Sequence, residues 1–175
     1  PGLPADVLRL TAQADLASLV GRQPTTVAFT AQVLAPVADA PGAAMASAFE
    51  WQGEAVYTPE QQRLRLDSRG AAYPDRLYQT YQGPLHLPAS DILARLRCPR
   101  DPVTFTLQVP DTELHDRPSW IVRAELQGKN GGFGPLDIAE ASCQLEITTR
   151  ETRFLNLKGT TAAGEPMALD IHIQY

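Results

Sequence analysis

Apolar and polar residues alternate along most of this chain, in segments that return about eight times. Val103-Thr104-Phe105-Thr106-Leu107-Gln108-Val109 is the clearest segment, and Met167–Tyr175 follows the same rule. Alternation with period two places successive side chains on opposite faces of a β-strand, so that one face can pack while the other meets water. Strands of parallel sheets are covered on both faces and give continuous apolar runs. The pattern therefore predicts an antiparallel sheet.

The fold expected from this pattern is mainly β, a single domain over residues 1–175 with eight to nine strands. The strands form either an antiparallel sandwich or a curved half-barrel, because alternation does not encode register or closure. Within 136–148 the apolar phase shifts from even to odd positions, which predicts a β-bulge near Glu140. The predicted strands lie near 7–16, 27–33, 49–57, 64–66, 102–109, 120–128, 136–148, 152–159 and 166–175.

Three segments depart from the alternation. Residues 35–44 are rich in Pro, Gly and Ala and are expected to form a long loop, and residues 69–88 are a candidate crossover between two sheets. Ser90 is a suitable N-cap for a short apolar stripe that ends before Pro99. These residues predict one short helix near 90–97.

Composition excludes two classes of function. The net charge of −5 argues against binding nucleic acid through a general basic field. No apolar run approaches the roughly 20 residues that a membrane-spanning helix needs. The chain starts with Pro1 and shows no signal region, so its sequence alone does not fix a compartment.

The two cysteines, Cys98 and Cys143, allow two interpretations. A disulfide between them would close a loop of about 45 residues and stabilise the fold by roughly 3–4 kcal/mol on the chain-entropy model. The alternative is a pair of separate thiols, with Cys143 a small buried side chain on the apolar phase of its strand. We favour the separate thiols.

Clusters that could carry chemistry are few. Asp111-Thr-Glu113-Leu-His115-Asp116 holds three carboxylates and a histidine, but it lacks the spacing of zinc or calcium sites and is expected to be a solvated turn. His172 lies on the polar phase of its strand and is expected to be exposed, and the glycine-rich segment 129–135 is expected to be a flexible hairpin loop. No nucleophile and base can be grouped, so we predict neither a metal, a cofactor nor an enzyme.

Aromatic residues offer a candidate ligand site. Trp51, Tyr78 and Tyr81 could line an apolar pocket, with Tyr73 and Trp120 as further candidates, although such residues also serve as ordinary core fillers. The predicted helix would add Leu93 and Leu96 to that pocket. The candidate ligand-binding residues are Trp51, Tyr78, Tyr81, Leu93 and Leu96.

Two segments near the start carry a family resemblance. Leu19-Val20-Gly21-Arg22-Gln23-Pro24-Thr25-Thr26-Val27 and Ala55-Val56-Tyr57-Thr58-Pro59-Glu60-Gln61-Gln62-Arg63-Leu64-Arg65-Leu66 resemble the YceB-like (DUF1439) envelope lipoproteins of bacteria. The resemblance covers about residues 5–68. It implies a periplasmic or cell-envelope protein without catalysis, with an apolar groove between a long curved sheet and a helix. It assigns no functional residue.

These observations lead to two hypotheses about function. The first is a non-enzymatic envelope protein that binds a lipid or other apolar ligand between its sheet and residues 77–97. The second is an interaction or assembly module that pairs with a protein partner, or with itself, through an exposed strand edge. The polar positions of the strands favour Thr and Gln over Lys and Glu, so the edges carry little protective charge.

Overall fold

One open antiparallel sheet dominates the computed structural model, which describes residues 8–14, 23–36, 45–76, 95–98, 100–116, 118 and 120–174. The strands follow the alternating segments of the sequence. They are β1 (Leu8–Ala14), β2 (Thr25–Pro36), β3 (Met45–Thr58), β4 (Arg63–Ala72), β5 (Leu96–Arg97), β6 (Val103–Glu113), β7 (Ile121–Phe133), β8 (Leu136–Thr148), β9 (Glu151–Thr161) and β10 (Pro166–Gln174).

The order of the strands in the sheet is almost the order in the chain. It runs β1-β2-β3-β4-β6-β7-β8-β9-β10, and β5 pairs beside the end of β7, where Leu96 faces Phe133. Every pairing is antiparallel. Among the described residues β1 and β10 each have one neighbour, so the sheet has two edges. Of the two predicted architectures, the curved half-barrel fits this single open sheet and the sandwich does not.

The two faces of the sheet differ in chemistry. Residues that pair across neighbouring strands lie on the same face, so each transverse row of paired residues belongs to one face. One transverse row, here called the apolar row, runs from β1 to β10 through Ala12, Phe29, Gly53, Ser68, Leu107, Ala124, Leu145, Phe154 and Ile171. The next row, here called the polar row, lies on the other face and contains Gln13, Ala28, Glu54, Asp67, Gln108, Arg123, Glu146, Arg153 and His172.

Two predicted features of individual strands are confirmed. The register of β8 against β9 shifts between Ile138 and Glu140, which is the bulge that the phase change indicated. The turn implied between the strands predicted near 49–57 and 64–66 lies at residues 59–62. In both places a local change in the sequence pattern coincides with a local change in backbone pairing.

Other predictions were wrong in extent. The proposed crossover at 69–88 begins with strand, because β4 continues to Ala72. The glycine-rich segment 129–135 is not a flexible loop: β7 continues to Phe133, and Gly134 takes a φ of 56° in a two-residue hairpin turn. Glycines have no side chain to alternate, so neither extension shows in the apolar pattern.

The predicted helix near 90–97 is wrong at its end. Residues 96–97 form β5, since their backbone pairs with β7, and residues 90–94 lie outside the described residues. A single helical turn occupies residues 74–76. The first two residues of the predicted loop at 35–44 belong to β2, which extends through Pro36; residues 37–44 also lie outside the described part.

Candidate functional site

Trp51 lies in an aromatic cluster on the apolar face of the sheet. Its ring centroid is 4.7 Å from that of Phe29 in an edge-to-face arrangement and 6.4 Å from that of Phe49. Phe49 in turn stacks on Phe105 at 5.9 Å. These rings come from β2, β3 and β6, so pairing of strands assembles the cluster from distant parts of the sequence.

The indole nitrogen of Trp51 is buried and has no hydrogen-bond partner within the described part of the chain. A buried donor without a partner costs roughly 1–3 kcal/mol. By contrast, Trp120 is exposed, and its Nε1 donates to the backbone oxygen of Glu113 at 3.0 Å. Trp51 is therefore the tryptophan with an unused donor inside an apolar cluster.

The structure does not bring the five predicted ligand-binding residues together. Tyr78, Tyr81 and Leu93 lie outside the described residues, and only the backbone of Leu96 is described, in β5. Trp51 alone has a described side chain. The pocket between the sheet and residues 77–97 remains a prediction.

A cavity beside Trp51 has walls of mixed polarity. It measures about 770 Å³, and Trp51 and Phe105 line it together with threonines, glutamines and charged residues from six strands. Two examples of its polar contacts are Gln32 Nε2, which donates to Glu50 Oε1 at 3.3 Å, and the neighbouring pair Gln52 and Arg69. Such walls suit a ligand that carries both polar and apolar groups.

A smaller cavity of about 140 Å³ has mostly apolar walls. Both cysteines line it, together with Val103, Leu126 and Leu157. A void of this size resembles engineered cavities of about 150 Å³ that bind benzene. It is too small for a lipid chain.

The two cysteines are separate, buried thiols, as the favoured interpretation had it. Cys98 Sγ lies 3.8 Å from the place where a Cβ on Gly131 would stand. Gly131 pairs with Ile138, and Cys143 follows five residues later on β8, about 16 Å along the strand. A disulfide needs Cβ atoms about 4 Å apart, so this register keeps the thiols unjoined.

Burial makes both thiols weak acids. The pKa of Cys98 rises to about 11, chiefly through burial and secondarily through the negative charge of Asp75. The Oδ2 atom of Asp75 accepts the backbone N–H of Cys98 at 3.3 Å, which fixes this carboxylate near the thiol. Burial also raises the pKa of Cys143. Thiolates are the reactive form, so neither cysteine is poised as a nucleophile.

The acidic segment 111–116 is partly strand and partly turn. Asp111 and Glu113 belong to β6, and Arg63 of β4 pairs with both, at 2.9 Å to Asp111 and 3.9 Å to Glu113. His115 is exposed in the turn that follows. Within the described ranges, no group of three or more potential ligands could hold a metal ion.

The edge strand β10 presents large apolar side chains to solvent. Leu169 is 54 % exposed, Ile171 38 % and Ile173 40 %. Their alternation was visible in the sequence, but the position of the strand at an edge was not, because alternation does not specify strand order. Exposed apolar residues on a strand at the edge of a sheet mark a surface suited to contact.

Two polar contacts fasten β10 to β9. His172, exposed as predicted, contacts the carboxylate of Glu151, which Arg153 also contacts. The hydrogen bond from His172, supported by the charge of Arg153, lowers the pKa of Glu151. Asn156 takes a φ of 53° at a bulge in β9, and its N–H donates to Asp170 Oδ1 at 2.7 Å.

Comparison with protein-family models, with curated proteins and with solved structures finds no match to this chain. The resemblance to YceB-like lipoproteins, with the envelope location that it implies, therefore remains a prediction. In the part of the chain that the structure describes, no helix has the length and apolarity to span a membrane.

Proposed function

We propose that this protein is an assembly module that recruits a β-strand of another polypeptide to the free edge of β10. The observation that carries the proposal is the exposure of Leu169, Ile171 and Ile173 on a strand that, among the described residues, pairs only with β9. An added strand would use the outward backbone N–H and C=O groups of β10 and would cover these side chains.

The side chains of β10 favour pairing with another strand and offer the edge little protection against it. Proteins usually guard an edge with lysine, proline or a bulge that turns the edge away. β10 contains no lysine or arginine, its one proline is its first residue, Pro166, and the bulge beside β10 lies in β9. The apolar row ends at Ile171, so a docked strand would extend this row by one member.

The opposite edge is less suited to this role. β1 has seven residues against nine in β10, and Leu10, 68 % exposed, is flanked by Arg9 on the polar face. A desolvated arginine without an acidic partner opposes strand addition there. We therefore assign the docking edge to β10.

Binding of an apolar ligand is the second candidate function, and the unpartnered indole N–H of Trp51 supports it. A ligand with an apolar body and one acceptor group would suit this cluster. Native mass spectrometry followed by solvent extraction tests the idea. Release of a lipid-sized molecule by the wild type would support it, and a protein mass without added ligand would count against it.

Sedimentation velocity tests the assembly function with the chain itself as the probe. The wild type is expected to sediment as more than one chain at concentrations on the order of 100 μM, and Leu169→Lys/Ile173→Lys is expected to sediment as the monomer. Leu10→Lys on β1 is the matched control and should leave assembly unchanged. A wild type that stays monomeric, or lysine variants that assemble equally well, would contradict the proposal.

A further inference from the structure

We infer that the strand recruited by β10 is β10 of a second copy, antiparallel to the first and related to it by a two-fold axis at Ile171. This inference rests on the assembly function proposed above and adds the identity of the partner and the register. Its basis is that the sequence around Ile171 complements itself when it is reversed.

The register follows from the residues on either side of Ile171. With the axis at Ile171, Asp170 of each copy faces His172 of the other, which gives two acid–imidazole pairs on the polar face. Leu169 faces Ile173 twice on the apolar face, and Ile171 faces its own copy. Asp170 and His172 are both exposed; Asp170 Oδ1 accepts the Asn156 N–H and His172 Nε2 contacts Glu151, so Asp170 Oδ2 and His172 Nδ1 are the atoms that would meet the partner. Cross-strand pairs of these kinds each stabilise a sheet.

Neighbouring registers are poorer. Paired residues must share a face, so the two-fold axis can only pass through a residue position. An axis at Asp170 sets two carboxylates against each other, and an axis at His172 sets two imidazoles against each other. An axis at Leu169 leaves Asp170 opposite Ala168. Of these four axes, only the one at Ile171 matches both charge and apolar contacts.

The symmetry of this contact limits the size of the assembly. A two-fold contact uses the same edge on both copies and closes as a dimer, with the two sheets joined into one. Pairing of β10 with β1 of another copy would instead use different edges and would form rings of several copies or open filaments. The inferred register therefore predicts a dimer and no larger species.

Cysteine cross-linking tests the register. Ile171→Cys places two new thiols directly opposite each other, and mild oxidation should join the copies. Leu169→Cys is the matched control: it is exposed on the same strand, but its two copies would lie about 13 Å apart along the strands. We expect about tenfold more cross-linked dimer from Ile171→Cys than from Leu169→Cys, because disulfides need Cβ atoms about 4 Å apart. Equal cross-linking, or more from Leu169→Cys, would overturn the register.

Charge exchange gives an independent test that does not depend on a thiol. Asp170→Lys alone sets lysine against histidine, and His172→Glu alone sets aspartate against glutamate, so each variant should remain monomeric. Mixing the two restores opposite charges at both contacts and should give a heterodimer. Formation of the heterodimer also shows that both variants are folded. A mixture that stays monomeric while each variant retains its thermal transition would contradict the inference.

The outcomes separate the inference from the function on which it rests. The wild type could associate, lose association in the Leu169→Lys/Ile173→Lys variant, and yet show no preference for cross-linking at position 171. That result would support pairing through the β10 edge and would contradict the register. A wild type that never associates would contradict both the assembly function and the register. Species larger than a dimer would favour pairing between β10 and β1 and would also overturn the two-fold arrangement.

Discussion

Gly70 of β4 lies directly opposite Phe105 of β6, and the Phe105 ring occupies the space that a side chain at position 70 would need. A Cβ on Gly70 would stand 2.8 Å from Phe105 Cε1, and closer still to Phe105 Cζ and to the backbone oxygen of Glu50. Because Phe105 also stacks on Phe49, this glycine holds the aromatic cluster of Trp51 against the sheet.

Gly70→Ala is therefore expected to destabilise the fold by about 1–3 kcal/mol through overpacking. Gly128→Ala is the control, because a Cβ there would meet only Val103 Cγ2, at an ordinary 3.5 Å. That variant should be neutral or slightly stabilising. Urea denaturation measures both, and equal stability of the two variants would refute the tight contact between positions 70 and 105.

The Glu151–His172 contact should make the attachment of β10 depend on pH. The folded-state pKa of Glu151 lies below its unfolded value, mainly because His172 bonds the carboxylate. The resulting stability is complete above the unfolded pKa and is lost as the pH falls through the folded pKa. Thermal denaturation of wild type and Glu151→Gln should differ near pH 7 and converge toward about pH 3. A constant difference over this range would argue against the contact.

Cys98 and Cys143 should remain reduced and react slowly. With a pKa of about 11, Cys98 is about 0.1 % thiolate at pH 8. An intact mass about 2 Da above that of the disulfide form should be found without added reductant. Ellman's reagent should titrate both thiols at once in denaturant and only slowly in the folded protein. Rapid labelling of the folded chain would contradict the burial of these residues.

The unpartnered Trp51 N–H leads to a prediction about substitution. Trp51→Phe loses no hydrogen bond to a described residue and removes a buried unsatisfied donor, which offsets the smaller ring. Its stability should lie within about 1 kcal/mol of the wild type. Trp51→Ala empties the cluster and should cost about 3–5 kcal/mol. Chemical denaturation compares the two, and a Phe variant as unstable as the Ala variant would show that the indole N–H has a partner.

Local pattern was enough to predict the sheet but not its layout. The alternation of Val103–Val109 and the phase change near Glu140 predicted a strand and a bulge, because both are recorded in consecutive residues. The strand continuations through Gly70 and Gly131 were missed, since glycine gives no apolar phase. Leu96 was assigned to a helix because a short apolar stripe fits either structure until its pairing with Phe133 is known.

The candidate edge could be predicted only in part. The sequence shows that Leu169, Ile171 and Ile173 share a face, and it shows few protective lysines. That β10 lies at the end of the sheet depends on strand order, which pairing between distant segments decides. The aromatic contacts of Trp51 have the same origin, since Phe29 and Phe105 approach it through the register of several strands.

Amide hydrogen exchange at two protein concentrations tests the central claim most directly. If β10 recruits a second strand, the outward amides of residues 167–174 should exchange more slowly at the high concentration, while those of residues 8–14 should exchange at the same rate at both. Exchange rates of β10 that do not change with concentration, or protection that appears only in β1, would contradict the assembly function.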